Sequence, residues 1–143
     1  MTTQAIGHAV PRTTSLPLAA SRLWTARVLS AIPVLFLAFD GAAKVANVAP
    51  VQEAMAQLGY PAHVGAGIGI VLLACVALYA IPRTAVLGAI LLTGYLGGAI
   101  ATHVRVESPL LSHTLFPIYI AAMIWGGLYL RDSRLRALLR PRE

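Results

Sequence analysis

Between residues 28 and 130 the chain carries six acids and bases: Asp40, Lys44, Glu53, Arg83, Arg105 and Glu107. They fall at the ends of four long apolar stretches, not along their faces. A water-soluble domain of this size spreads charge over every helix face, so the solvent for these stretches is lipid. Charged residues make up 11% of the 143 residues, against about 25% in ordinary globular domains. That deficit is large enough to decide the class.

A helix needs about 20 residues to cross the hydrocarbon core. Residues 23–44, 62–81, 84–102 and 109–130 each meet that length. All four are apolar all round, without the alternation a membrane barrel requires. The expected architecture is an all-α, four-helix transmembrane bundle. Residues 1–22 read as a disordered N-terminal segment and 131–143 as a basic tail. Ile81-Pro82-Arg83-Thr84 allows only a tight turn, so the second and third spans form an antiparallel hairpin. Between the first two spans, Val51, Ala54, Met55 and Leu58 share one face, with Pro50 as start and Gly59 as stop. That pattern predicts a short amphipathic helix lying on the membrane surface.

Orientation follows from the basic residues. Arg12, Arg22 and Arg27 precede the first span, Arg83 sits in the hairpin turn, and five arginines follow the fourth. Only Lys44 and Arg105 lie at the other side. Both termini are therefore expected in the cytoplasm of a bacterial inner membrane, with the basic tail against anionic lipid. The basic residues are not interleaved with aromatics, which argues against nucleic acid. A rival reading takes Arg27, residues 28–39 and Gly41-Ala42-Ala43 as a signal peptide. Cleavage there would leave three spans and set the basic tail outside, against the charge rule.

Lipid competes with apolar side chains, so helices in a bilayer associate through close backbone approach and polar contacts. Gly65 with Gly69, and Gly94 with Gly98, are small-xxx-small pairs on the two helices of the hairpin. Their faces are expected to meet; dimerisation between copies is the competing use. Pro33 and Pro117 each remove a helical hydrogen bond and free the carbonyl four residues earlier. A helix starting at Pro117 would be too short to span, so the fourth span is expected to run through it with a bend.

The outer end collects the polar residues. Asp40 and Lys44 stand four apart, acid first, the favourable order for an ion pair. His103 and Arg105 end the third span, Glu107 lies in the loop, and His113 opens the fourth. His63 and Glu53 belong to the same side and both read as solvated, with Glu53, like His113, kept as a ligand-binding candidate. For Asp40 and Lys44 two readings stand: a structural pair with Lys44 reaching the headgroups, or ligand and proton handling at a site paired inside the bundle. His103 likewise reads as an interfacial residue or a ligand contact. Tyr95, mid-helix, either bonds a neighbouring helix or lines an internal cavity. No two histidines share a short metal-ligand spacing, so no metal site is expected. The single cysteine, Cys75, excludes an internal disulfide.

Three stretches resemble the DoxX-like family of small bacterial membrane proteins. They are Gly41-Ala42-Ala43-Lys44, Leu58-Gly59-Tyr60-Pro61, and residues 81–105, IPRTAVLGAILLTGYLGGAIATHVR. The last is the specific one. The resemblance implies four transmembrane helices and marks Lys44, Glu53, Gly94, Gly98 and His103 as positions of interest. The family name is tied to a quinone-linked thiosulfate oxidoreductase subunit, and other members are associated with redox-stress complexes. Lack of a cysteine pair argues against thiol–disulfide chemistry. Three functions follow in order: an accessory protein binding a lipid, a quinone or a partner subunit; a quinone-linked oxidoreductase subunit using Asp40, Lys44 and His103; and a small transporter. The apolar midplane of spans two to four argues against the last. A membrane partner or a second copy remains open in each.

Overall fold

The computed structural model describes residues 16–61 and 63–138. Among these residues six α-helices form: α1 (Leu16–Val45), α2 (Ala49–Gln57), α3 (Val64–Ala80), α4 (Ala85–Arg105), α5 (Phe116–Arg131) and α6 (Ser133–Leu138). The first helix begins at Leu16, so residues 16–22 are its opening turns and not the disordered segment the sequence suggests. The rest of that segment, and residues 139–143 of the tail, lie outside the described residues. Within the tail, Asp132 caps α6 by accepting the Arg134 and Leu135 amides on Oδ1, at 2.8 and 3.3 Å.

Three helices stop at the same end of the molecule in the same way. Asn47 (φ 51°), Gly59 (φ 72°) and Glu107 (φ 53°) are left-handed residues just past α1, α2 and α4. In each case the next amide reaches back five residues, Val48 to Ala43, Tyr60 to Met55 and Ser108 to His103, at 3.4, 2.9 and 3.0 Å. These are Schellman closures, which satisfy carbonyls a helix end leaves orphaned. Asn tolerates this conformation and Gly adopts it freely, whereas Glu does so at a cost. Pro50 sits in the first turn of α2 and Gly59 follows its end, as the amphipathic pattern predicts.

The turn between α3 and α4 is tight. The Thr84 amide donates to the Ile81 carbonyl at 3.1 Å, and its hydroxyl donates to the Leu78 carbonyl at 2.8 Å. Near the other end of the chain, Pro117 corrects an expectation. It occupies the first turn of α5 and so starts that helix. A π-helical turn over Leu110–Thr114 precedes it, in which the Leu115 amide donates to the Leu110 carbonyl at 2.8 Å. Proline has no amide to continue the wider ring, and it fits the first helical turn, where an amide would be unpaired anyway. Pro33, by contrast, lies buried inside an uninterrupted α1.

Helices α1, α3, α4 and α5 run alternately up and down as a ring, each packed on two neighbours, with α1 and α4 on the diagonal. Leu37, Leu72, Tyr79, Leu92, Ile124 and Leu128 form the middle of the core. The outside is also apolar: Leu35 is 70% exposed and Phe39 76%. Apolar residues on both sides of a helix are what a lipid solvent permits. Three segments, Ala20–Val45, Ala85–Arg105 and Leu110–Arg131, are long and apolar enough to cross a membrane. The α3 helix is equally apolar and shorter, at 17 residues.

Glycines set the helix crossings, but not the pairs the sequence suggests. A Cβ added at Gly69 would lie 2.7 Å from the Gly41 carbonyl oxygen, so Gly69 presses α3 against α1 and not against α4. Gly65 faces Met55 of α2, 3.6 Å from its Cγ. The α3–α4 contact is made instead by Gly88, where an added Cβ would overlap the Tyr79 amide nitrogen. Gly94 and Gly98 meet nothing within 4 Å. The α1–α5 crossing depends on Gly127, where an added Cβ would overlap Ser30 Oγ.

Candidate functional site

The ends of α1 and α4 and the beginnings of α3 and α5 meet at one end of the ring. Alternation of direction alone brings Asp40, Lys44, His103 and His113 there, from three different elements. Between them lies a cavity of about 520 Å³, within the range that accommodates small-molecule ligands. Helix α2 lies over it, contributing Ala54, Met55 and Leu58.

The lower wall is apolar, with Leu37, Ile68, Leu96 and Ile120. Polar groups gather above it. Lys44 Nζ donates to Asp40 Oδ1 in an ion pair. The Lys44 side chain is only 13% exposed and Asp40 32%, so the lysine is turned into the cavity and does not reach outward along the surface. Asp40 retains a second carboxylate oxygen and Lys44 further protons, none used by another described residue. Tyr95 also lines the space, and its hydroxyl makes no hydrogen bond to any described residue.

The two histidines approach edge to face, with ring centroids 5.7 Å apart. His103 Nδ1 pairs with Ser108 Oγ at 3.0 Å, and His113 Nδ1 with Ser112 Oγ at 2.8 Å. Each hydroxyl orients its ring and leaves Nε2 without a partner among the described residues.

Of the candidates read from the sequence, Asp40, Lys44, Tyr95, His103 and His113 all line the cavity, as do Gly94 and Gly98. Glu53 does not. It is exposed on the far face of α2, and His63 is exposed at the start of α3. Gly65 and Gly69 are packing positions away from the lining.

Several contributors were not picked out by their residue type. Tyr60, between α2 and α3, bonds Thr102 Oγ1 at 2.9 Å. Arg105 Nη2 donates to the Leu58 carbonyl at 2.6 Å, and its guanidinium lies over the Tyr60 ring at 6.0 Å. Together these clamp the α2–α3 connection onto the end of α4. Phe36 and Phe116 stack edge to face at 5.3 Å across α1 and α5. The signal for Tyr60 was present, inside the Leu58-Gly59-Tyr60-Pro61 stretch. Phe36 and Phe116 carried none, since an aromatic in an apolar span is unremarkable.

Apolar inside and out, with three helices of spanning length around a largely apolar cavity with a polar rim, the molecule is an α-helical integral membrane protein. The model of the DoxX-like family matches residues 28–127, and the chain belongs to that family. The matched region contains every cavity-lining residue named above. No curated protein and no solved structure matches the chain.

Proposed function

We propose that this protein is a four-span inner-membrane protein of bacteria that holds the polar head of a membrane-soluble amphiphile, a quinone or a lipid, in the cavity under α2. The observation that carries this reading is the cavity itself. Its apolar floor suits a ring or methylene groups, and its rim offers Asp40, Lys44, Tyr95 and two histidine Nε2 atoms with unused hydrogen-bonding capacity. A few convergent polar groups over an apolar lining is the usual composition of a small-molecule site.

The fourth span is α3. Its 17 residues rise roughly 26 Å at 1.5 Å per residue, near the lower limit for crossing, and it packs between two longer helices. Arg27, Arg83, Arg131, Arg134 and Arg136 lie at the end away from the cavity. By the positive-inside rule that end is cytoplasmic, and the cavity opens toward the outer leaflet.

The second reading, a quinone-linked oxidoreductase subunit, rests on the same residues. A quinone head takes up protons on reduction, and an imidazole, a phenol and an ion pair around one space can hold and pass them. An accessory role beside a partner subunit is compatible with either ligand. The transporter reading gains nothing from the opposite end of the ring, which is densely packed.

Gentle purification followed by mass spectrometry of co-purifying molecules tests the proposal. A quinone or lipid retained reproducibly by the wild type, and lost from Asp40→Asn and His103→Ala variants that elute as folded protein, is the expected result. Retention unchanged in both variants would move the ligand elsewhere. A partner protein with no small molecule would leave the accessory role standing alone.

A further inference from the structure

Three of the four seams around the cavity are crossed by contacts, and the fourth carries two glycines. At its level, the α1–α3 seam is closed by the backbone contact of Gly41 with Gly69. The α1–α5 seam is crossed by the Phe36–Phe116 pair. Between α4 and α5, His103 meets His113 above, and the Trp125 indole donates to Thr93 Oγ1 at 2.9 Å below. Overhead, Tyr60 and Arg105 fasten the connection that follows α2.

The α3–α4 seam differs along its length. At 3.6 residues per turn, positions seven apart share one side of a helix, so Gly88, Tyr95 and Thr102 form a single stripe on α4. At the bottom Gly88 presses on the Tyr79 backbone of α3, and at the top Thr102 bonds Tyr60, just before α3 begins. That stripe therefore faces α3. Gly98, three residues from Tyr95 and four from Thr102, flanks that stripe, and Gly94 stands one turn below Gly98 on the same outer side. Yet both glycines line the cavity, both are exposed, and an added Cβ at either meets nothing within 4 Å. Gly69, by contrast, holds this part of α3 close against α1.

We infer that this gap is a lateral portal through which the tail of the bound amphiphile leaves the cavity and runs into the bilayer. The inference rests on the ligand reading above and deepens it. A space of about 520 Å³ holds a head and its first carbons, not a long chain as well, so an amphiphile bound there needs an exit into lipid. A portal in the side of the bundle also lets the ligand enter from the membrane without crossing water, where its tail would be costly to expose. Glycine at positions 94 and 98 keeps that passage clear, in contrast to Gly69 and Gly88, which serve helix contact.

The test uses the full-length protein in detergent and measures binding of two tailed probes with their tail-less heads. One pair is a decyl-substituted benzoquinone and its parent ring; the other is a lysophospholipid and its glycerophosphate head. Whichever pair the wild type binds identifies the source of the ligand. Gly94→Val with Gly98→Val should weaken the tailed probe by about tenfold or more (about 1.4 kcal/mol or more) and leave the tail-less head within about twofold. Gly97→Val is the control, because Gly97 is equally uncrowded but lies off the cavity lining; it should bind both as the wild type does. If the double variant does not fold, Gly98→Val alone carries the test.

A tailed probe that binds the glycine variants as tightly as the wild type overturns the portal and leaves the cavity as a ligand site. Equal loss of tailed and tail-less probes also overturns it, placing the glycines in the head site. A wild type that binds neither pair overturns the ligand reading and the portal with it.

Discussion

The two ends of the helical ring are built from the same residue types and use them oppositely. At the closed end, Tyr79 is fully buried. Its hydroxyl donates to the Ile124 carbonyl at 2.9 Å and pairs with Ser30 Oγ at 3.1 Å, so α1, α3 and α5 are joined at one atom. Arg131 lies over the Tyr79 ring at 4.8 Å and donates to the Tyr79 carbonyl at 3.1 Å. Gly88 and Gly127 bring backbones into contact there. At the cavity end, Tyr95 has no hydrogen-bond partner among the described residues, Arg105 clamps a connecting segment, and an added Cβ at Gly94 or Gly98 would meet nothing within 4 Å. One end uses glycine to remove space and tyrosine to satisfy polar groups. The other uses glycine to keep space and leaves its polar groups available. Stability and binding capacity are thus separated along the bundle axis.

That separation can be broken at the closed end first. Gly88→Leu has the largest expected effect, because the new side chain would collide with backbone that cannot yield. It should abolish a monodisperse folded peak in detergent size-exclusion chromatography. Gly94→Leu, the same change at the other end, should elute as the wild type does. Next in size is Tyr79→Phe, which leaves the buried Ser30 hydroxyl without this partner and the Ile124 carbonyl with only its helical amide. A cost of about 1–3 kcal/mol is expected for such groups, seen as a lower Tm. Tyr95→Phe should leave Tm within error and reduce ligand retention, and a Tm loss equal to that of Tyr79→Phe would erase the distinction between the ends.

The Asp40–Lys44 pair is expected to contribute less, because it is partly exposed. A double-mutant cycle with Asp40→Asn and Lys44→Met should return a coupling of about 1 kcal/mol or less in thermal unfolding, while each single variant impairs ligand retention. Smallest is Glu107→Gly. Releasing a left-handed glutamate removes roughly 1 kcal/mol of strain, partly offset by the added freedom of glycine in the unfolded chain. A slight rise in Tm without change in binding is the expected outcome.

Much of the helical layout was legible from residue type and spacing. Pro82 and Arg83 between two apolar runs marked the hairpin, Pro50 and Gly59 bracketed α2, and up-and-down order placed Asp40 and His103 at one end. Glu53 illustrates where that reading stops. It lies on the correct side of the bundle, yet α2 turns Met55 inward and leaves Glu53 exposed. Sequence pattern identifies a helix's apolar face, and a polar residue off that face can only join the cavity if the helix rolls. Pro117 departs from its sequence pattern for a different reason. The fourth span is not one uniform α-helix: a π-helical turn supplies its upper part and leaves proline free to begin the α-helical part.

By itself the sequence determined the solvent, the helices, and the end at which the ionisable residues gather, because these depend on composition, length and chain direction. Only the tertiary structure decided what each glycine does. Gly65-xxx-Gly69 and Gly94-xxx-Gly98 are the same motif in neighbouring helices, yet an added Cβ at Gly69 would meet a backbone oxygen at 2.7 Å and one at Gly98 would meet nothing within 4 Å. The motif states that a backbone can be approached; which helix approaches it, or whether the gap stays open, depends on how four helices share their close contacts.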